Sequence, residues 1–222
     1  MNLWCRDYWR LFVGLFVCGT AALEAQTLVT NGSFEIGVGQ PAPANFISYG
    51  VGSTALTGWT IVSDELALLN GDFQFSGNIG TVPSHGSFYL DLAGITDAAP
   101  HGGVQQGITT VPGTAYRLSF DLGTGSGASA GPVSLLASAG ATSASFINSN
   151  TIANWTTFNL DFVAASTTTL ITLQGISAPA GNWYIGLDNV SVVTVPEPSV
   201  AGLLGAGLGV LGLLAYRRRL CR

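Results

Sequence analysis

Alternation of apolar and polar residues with a period of two is the feature that most restricts how this chain can fold. From Thr114 to Leu122 every second residue is apolar, and the stretch from Trp155 to Val163 repeats the pattern. Because successive side chains of a β-strand point to opposite faces, this spacing predicts two strands that are each buried on one side only. The residues predicted to point inward are Tyr116, Leu118, Phe120, Leu122, Phe158, Leu160 and Phe162.

Shorter runs of β-branched and aromatic residues, bounded by turn residues, predict further strands. These runs are Thr27–Thr30, Trp59–Val62, Ser87–Leu92, Val104–Thr109, Val133–Ala137, Thr168–Leu173 and Trp183–Val193. Residues 37–57 are expected to form a long connection and residues 123–132 a flexible hairpin end, since both are rich in small residues. So many short strands predict an all-β antiparallel β-sandwich, a jelly roll.

The charge of the body, residues 26–194, limits its partners. Arg117 is its single basic side chain. The acidic side chains of the same span are Glu35, Asp64, Glu65, Asp72, Asp91, Asp97, Asp121, Asp161 and Asp188. Nucleic acid and anionic polymers are therefore poor partners, since binding them requires a basic surface. A neutral polysaccharide or a cation is electrostatically acceptable.

Cysteine is confined to the ends of the chain, at Cys5, Cys18 and Cys221. The body accordingly needs no disulfide and holds no zinc site built on thiolates. The first 25 residues combine a basic start, an uncharged run from Leu11 to Ala22 and small residues before Gln26. This order predicts a secretory signal peptide over residues 1–25, with cleavage two or three residues further upstream as an alternative.

The tail, residues 195–222, has three ordered parts: a proline-containing motif at 195–199, an uncharged apolar run at 200–216 and a basic end at 217–222. At about 1.5 Å per residue the apolar run spans roughly 25 Å, enough for a short transmembrane helix. By the positive-inside preference, Arg217, Arg218 and Arg219 stop the helix and place the C-terminus in the cytoplasm.

This arrangement resembles the PEP-CTERM sorting signal, with Pro196, Glu197 and Pro198 as the motif. The resemblance implies passage through the secretion machinery, transient anchoring in the inner membrane and cutting by an exosortase-type membrane protease, followed by release to the cell surface or outside. Two prolines keep such a segment extended and accessible to a protease. A plain linker ahead of a permanent anchor is the alternative.

The body resembles the choice-of-anchor C family through a series of short motifs in order. They are Asn31–Glu35, Leu56–Trp59, Gly86–Leu92, Gly103–Gln106, Ala115–Asp121 and Leu187–Val192. That family is similar to plant cell-wall proteins and to galactose-binding-like carbohydrate-binding modules. In related jelly rolls a structural calcium joins the start of the domain to its last strand, which would here recruit Glu35 and Asp188, with Asn31 as a further candidate ligand. Carboxylates suit calcium, but ordinary turn and hydrogen-bonding roles are the alternative.

A glycan-binding surface is the second site that the sequence suggests. Exposed aromatic rings stack on sugars, and polar neighbours fix the orientation of a bound sugar. The candidate rings are Phe73, Phe75, Tyr89, Trp155, Trp183 and Tyr184, with Asp72, Gln74 and Asn182 as polar partners.

Catalytic motifs are weak. The adjacent Asp64 and Glu65 would face opposite sides of a strand, and His85 and His101 are expected to be solvated loop residues. Residues 127–131 fit G-x-S-x-G but have no helix behind them, as a nucleophile elbow requires. The sequence therefore predicts no enzyme but an exported, surface-sorted protein that binds or is embedded in extracellular polysaccharide. A structural matrix or adhesion protein is the alternative, and an ice-binding protein or secreted hydrolase is less favoured.

Overall fold

The computed structural model describes residues 26–71, 73, 82–95, 99–177 and 184–196. In that part of the chain the regular structure consists of eleven β-strands and one 3₁₀ turn, Gly127–Ser129. The strands are β1 (Phe46–Tyr49), β2 (Thr60–Val62), β3 (Leu66–Asn70), β4 (Phe88–Asp91), β5 (Gly103–Thr109), β6 (Ala115–Thr124), β7 (Val133–Ala139), β8 (Thr142–Asn148), β9 (Asn154–Val163), β10 (Thr168–Ser177) and β11 (Gly186–Thr194).

The strands form two antiparallel sheets. A six-stranded sheet has the order β1-β3-β4-β11-β6-β9, and a five-stranded sheet has the order β2-β5-β10-β7-β8. Consecutive strands often lie in different sheets. The last strand, β11, lies between β4 and β6 in the middle of the six-stranded sheet. The all-β, antiparallel, two-sheet prediction is confirmed.

One hydrophobic core fills the space between the sheets and contains residues from both inner faces. The predicted inward positions of β6 and β9 lie in it: Tyr116, Leu118, Phe120, Leu122, Leu160 and Phe162 are buried, and Phe158 packs against them half-buried. Trp59 is the largest fully buried side chain, and its ring contacts Phe34 at 5.6 Å. Burial of these side chains stabilises the sandwich by roughly 25 cal/mol per Å² of apolar surface.

The prediction of a regular strand at Thr27–Thr30 is wrong. This segment lies beside β11, where Leu28 N–H donates to the Val192 carbonyl at 2.8 Å. The N–H of Val192 in turn donates to the Thr27 side-chain oxygen at 3.0 Å, so a hydroxyl takes the place of the backbone acceptor that a ladder would use. The segment therefore follows β11 without a strand's regular pairing.

Three strands were missed or only hinted at by the sequence pattern. β1 lies inside the stretch expected to be a long connection, and β3 is a continuous apolar run because both of its faces are covered. β8 has mainly Ser, Ala and Thr at alternate positions, which is a weak strand signal. The expected hairpin end at 123–132 holds the end of β6 and the 3₁₀ turn.

Two predicted segments, residues 1–25 and 197–222, lie outside the described residues. Among those that are described, no helix has the length and apolar character needed to span a bilayer.

Candidate functional site

The outer face of the six-stranded sheet carries a row of large side chains that the core does not use. We call it the outer aromatic face: Phe46 of β1, Leu69 of β3, Tyr89 of β4, Trp155 of β9, together with Ala67, Phe73 and Tyr184. Strand register brings these positions together, because Phe46 lies opposite Leu69 and Leu69 lies opposite Tyr89. A second hydrophobic cluster thus forms on the side of the sheet away from the core.

Two glycines make room for the indole of Trp155 on this face. Gly123 is a residue of β6 and lies opposite Trp155 of β9 on one side and opposite Gly186 of β11 on the other. A methyl group on Gly123 would come 2.7 Å from Trp155 Cζ3, and one on Gly186 would come 2.9 Å from Trp155 Cη2. Only glycine at both positions lets the ring lie down across two neighbouring strands toward Tyr89.

The rings of this face meet edge to face. Tyr89 contacts Trp155 at a centroid distance of 5.8 Å and an interplanar angle of 85°, and contacts Tyr184 at 6.2 Å and 78°. Phe46 contacts Phe73 at 5.0 Å and 67°. These are favourable aromatic arrangements, which hold the rings in fixed orientations.

Exposure divides the predicted glycan-binding rings. Tyr89 and Tyr184 are fully buried, so the expectation that both are surface-exposed is wrong. Phe73 and Trp155 are half-buried, as is Phe46, so each of these three residues keeps part of its surface accessible to solvent. Phe75 and Trp183 lie outside the described residues, together with the proposed polar partners Asp72, Gln74 and Asn182.

A segment that we call the strap, Val82–Phe88, crosses the same side of the sheet and leads into β4. Trp155 Nε1 donates to the Val82 carbonyl at 2.8 Å. Glu35 Oε1 accepts two hydrogen bonds from the strap, from the N–H groups of Ser87 and Phe88, both at 2.8 Å. The strap is therefore hydrogen-bonded to the outer aromatic face at one end and to Glu35 of the Asn31–Glu35 motif at the other.

A pair of buried carboxylates lies under the strap. Asp121 of β6 and Asp188 of β11 are directly opposite in the sheet, and their residues are 4% and 0% exposed. Asp121 accepts hydrogen bonds from the hydroxyl groups of Ser84 and Thr157 and from the side-chain amide of Asn189. Both acids are thus fastened to the strap and to the neighbouring strands.

Asp188 is the strongly perturbed acid of this pair. Its oxygens accept the N–H of His85 at 2.8 Å and the N–H of Asn189 at 2.6 Å. The pKa of Asp188 is raised from 3.8 to about 7: burial is the largest cause and the nearby Asp121 charge acts in the same direction, while the backbone N–H bonds act in the opposite direction. Desolvation therefore raises the pKa of Asp188 by more than the hydrogen bonds lower it.

The geometry around the two predicted calcium ligands favours N–H donors. Glu35 and Asp188 both contact the strap, and the oxygens described above accept backbone N–H groups from it. Asn31 uses its side chain within the chain, where Oδ1 accepts the N–H of Ile36 and Nδ2 donates to the Ile36 and Thr57 carbonyls. Within the described ranges no three His, Cys, Asp or Glu side chains come together. Calcium stays a prediction.

The candidate catalytic groups remain scattered. His101 is buried, so the expectation that it is solvated is wrong, whereas His85 is exposed as expected. Ser33 Oγ lies 2.9 Å from His85 Nδ1, a pair that the sequence did not suggest. A triad needs a carboxylate on the imidazole, but Asp188 binds the backbone N–H of His85 instead. The G-x-S-x-G stretch forms the 3₁₀ turn with Ser129 buried.

The fold and this face define a class: an all-β sandwich with a hydrophobic core between its sheets and an aromatic cluster on one outer face. The chain belongs to the family described as protein of unknown function (DUF642), whose model matches residues 27–192. A second model, the PEP-CTERM protein-sorting motif, matches residues 194–219. The recognition of that sorting signal from Pro196–Pro198 and its surroundings is confirmed.

A curated relative, halomucin of Haloquadratum walsbyi, is 27% identical over 193 residues. The match covers 85% of this chain but 2% of halomucin, so this chain spans a very small part of that protein.

Solved structures of similar arrangement include carbohydrate-binding modules and an enzyme. The CBM22-1 xylan-binding domain of Paenibacillus barcinonensis Xyn10C has 13% identity and a TM-score of 0.41, covering 71% of this chain and 99% of that domain. A family 35 carbohydrate-binding module of Clostridium thermocellum has 12% identity and a TM-score of 0.37, covering 58% and 98%. The arabinose-bound MgGH51 α-L-arabinofuranosidase has 18% identity and a TM-score of 0.47, covering 79% and 27%. At such values neither ligands nor site residues transfer.

Proposed function

We propose that this protein is exported, sorted to the cell surface and non-catalytic, and that its sandwich binds a neutral polysaccharide through the outer aromatic face. The observation that carries the proposal is the set of half-buried rings of Phe46, Phe73 and Trp155 on one face of the six-stranded sheet. Rings that are fixed in orientation and open on one side are what a sugar ring stacks on.

Charge supports a neutral polymer as the ligand. The body has one basic side chain, Arg117, which is already paired with Asp161 through two hydrogen bonds of 2.7 and 2.8 Å. An anionic polymer would meet acidic groups with no free guanidinium to receive it. A neutral glycan avoids that repulsion.

Localisation belongs to the same proposal. The signal peptide at 1–25 and the membrane helix at 200–216 would carry the body across the inner membrane and hold it there, with Arg217–Arg219 on the cytoplasmic side. An exosortase-type protease would then cut near Pro196–Pro198 and release the body to the surface. The same proposal takes the sandwich to be a galactose-binding-like jelly roll.

Binding of the purified full chain to neutral polysaccharides tests the glycan proposal, with xylan, mannan and a β-glucan as probes and alginate as the anionic comparison. Saturable binding to one neutral polymer is expected, together with at least tenfold weaker binding by Phe73→Ala and Trp155→Ala. Leu170→Ala, which removes an exposed apolar side chain from the opposite sheet, is the matched control and should bind normally. Absence of binding to any neutral polymer would instead favour a structural matrix protein.

Processing of the tail is tested by mass spectrometry of the mature protein from its producing cells. A C-terminus within or next to Pro196–Pro198 is expected. An intact C-terminus at Arg222 would show that the motif is only a linker before a permanent anchor.

A further inference from the structure

Among the edge strands that the structure describes, one lacks the protective features that the others have. β1 and β2 are short edge strands of four and three residues, and the edge strand β9 carries the charged Asp161. β8 is an edge strand of seven residues, Thr142–Asn148, without a charged residue or a proline. Short length, charge and proline are the usual ways in which an edge is kept from pairing with another chain.

The backbone of β8 offers donors and acceptors on its open side. β8 follows β7 through the two residues Gly140 and Ala141, with Ala139 opposite Thr142. Because an antiparallel ladder alternates between hydrogen-bonded and non-hydrogen-bonded pairs, Ser143, Ser145 and Ile147 direct their N–H and C=O groups away from β7. Among the described residues β8 pairs with β7 alone.

We propose that β8 pairs antiparallel with β8 of a second copy of this chain. Centred on Ser145, the pairing places Ser145 opposite Ser145 of the second copy, Ser143 opposite its Ile147 and Ile147 opposite its Ser143. Each of these three pairs would exchange two backbone hydrogen bonds, so the strand is complementary to itself. A twofold axis perpendicular to the sheet relates the two copies.

The charge distribution favours contact between two copies at the β8 edge over contact at other parts of the surface. The body is acidic, so two copies repel one another over most of their surface. The five strands of the sheet that contains β8 hold no Asp, Glu, Lys or Arg. Pairing at β8 therefore joins the copies where no like charges meet.

Such a dimer has a consequence for binding. An axis perpendicular to the sheet leaves both outer aromatic faces on the same side of the dimer. If those faces bind glycan as proposed above, one polymer can be held at two points, which raises its overall affinity. The pairing itself does not depend on that function.

Sedimentation of the purified full chain over a range of concentrations, with amide hydrogen exchange on the same samples, tests the pairing. A monomer–dimer equilibrium is expected, in which the amides of Ser143, Ser145 and Ile147 become protected as the dimer forms. The amides of Ala144 and Phe146, which face β7, should be protected at every concentration.

Ser145→Pro removes an outward N–H without touching the bonds to β7 and should abolish the dimer. Ser145→Thr keeps that N–H and should dimerise like the wild type. Continued protection of Ala144 and Phe146 in the proline variant shows that the hairpin is still folded. A protein that stays monomeric throughout, or a dimer that survives Ser145→Pro, would overturn the proposal, as would a dimer in which Ser143, Ser145 and Ile147 exchange freely.

Discussion

The two outer faces of this sandwich differ in almost every physical respect. The six-stranded sheet bears the aromatic cluster, the Arg117–Asp161 ion pair and the buried acids Asp121 and Asp188 on the side away from the core. On the five-stranded sheet the corresponding side carries hydroxyl and amide groups and exposed aliphatic side chains such as Ile147, Leu170 and Ile176. One row runs across all five strands and consists of Ser143, Ser138, Thr172, Gln105 and Thr60.

This difference teaches that the two sheets share one core but differ in the groups that they bury on their outer faces. The six-stranded face holds desolvated carboxylates, and burying a carboxylate costs stability. The five-stranded face is electrically neutral, with one open edge. We therefore expect substitutions on the first face to have large effects on stability and pH dependence, and equivalent substitutions on the second to have small ones.

Removing the acid at the centre of the first face should give the largest effect. The pKa of Asp188 is raised to about 7 in the folded protein, so its contribution to stability is fully present below 3.8 and is lost as the pH rises through 7. Asp188→Asn cannot titrate. Relative to this variant, the wild type should lose about 1.4 kcal/mol per pH unit between those values, a few kcal/mol in all.

Urea denaturation of both proteins at a series of pH values measures this loss. Asp121 is the acid that faces Asp188, with the exposed His85 nearby, and both remain in the variant. Two stability curves that run parallel between pH 4 and 8 would show that Asp188 does not titrate in this range.

A matched pair of glycines compares the two faces directly. Gly123→Ala would push a methyl group to 2.7 Å from the Trp155 ring, whereas Gly107→Ala on the five-stranded sheet meets nothing nearer than Thr168 Cγ2 at 3.7 Å. Overpacking should cost Gly123→Ala about 1–3 kcal/mol. Gly107→Ala should be neutral or stabilising by up to about 1 kcal/mol, because it reduces the freedom of the unfolded chain.

Thermal unfolding distinguishes the two outcomes, and tryptophan fluorescence reports whether Trp155 has moved. Equal destabilisation by both substitutions would mean that the glycines are needed for backbone reasons and not for the ring above Gly123.

Hydrogen-bonding side chains provide a third comparison. Glu35→Ala leaves the N–H groups of Ser87 and Phe88 without their acceptor and should destabilise the protein by about 1–3 kcal/mol. Gln105→Ala removes one bond to Thr172 Oγ1 at 3.0 Å on the opposite face and should cost about 1 kcal/mol or less. Hydrogen exchange of the Phe88 amide should rise in the first variant only. Glu35→Gln, which keeps an acceptor oxygen, should recover most of the loss.

The exposed ion pair of the six-stranded sheet should matter least. The Arg117 guanidinium lowers the pKa of the Asp161 carboxyl, but both side chains are well exposed, at 45% and 58%. Exposed pairs contribute little and are screened by salt. Arg117→Gln should therefore raise the Asp161 pKa toward its ordinary value, as measured by NMR titration, with almost no change in melting temperature. A large drop in melting temperature would place Arg117 among the groups that hold the sheet together.

Local pattern was enough to predict the inner faces. The alternation in Tyr116–Leu122 and Phe158–Phe162 reports directly which side chains enter the core, because it depends on a single strand. The same pattern also placed Asp121 on the outer face, where it does lie. That Asp121 is nevertheless buried could not be read from the sequence, since the strap that covers it comes from residues far away along the chain.

The outer aromatic face was only partly predictable for the same reason. Trp155 and Tyr89 were recognised as candidates, but their contact depends on the order of strands in the sheet and on glycines of two other strands. Phe46 was missed because it lies in a stretch rich in small residues and proline. Tyr184 was expected at the surface, since nothing in its own neighbourhood shows that Tyr89 packs against it.

In the part of the chain that the structure describes, the last hydrogen bond of the six-stranded sheet is made by Val195, whose N–H donates to the Ala115 carbonyl at 2.9 Å, and the exposed Pro196 follows at once. A chain covers at most about 3.5 Å per residue, so hardly any slack separates the folded rim from the first residue of the sorting motif. Any protease that cuts there must bind directly beside the folded domain. The surface of a fully folded domain would therefore limit how closely the active site of the protease can approach the motif.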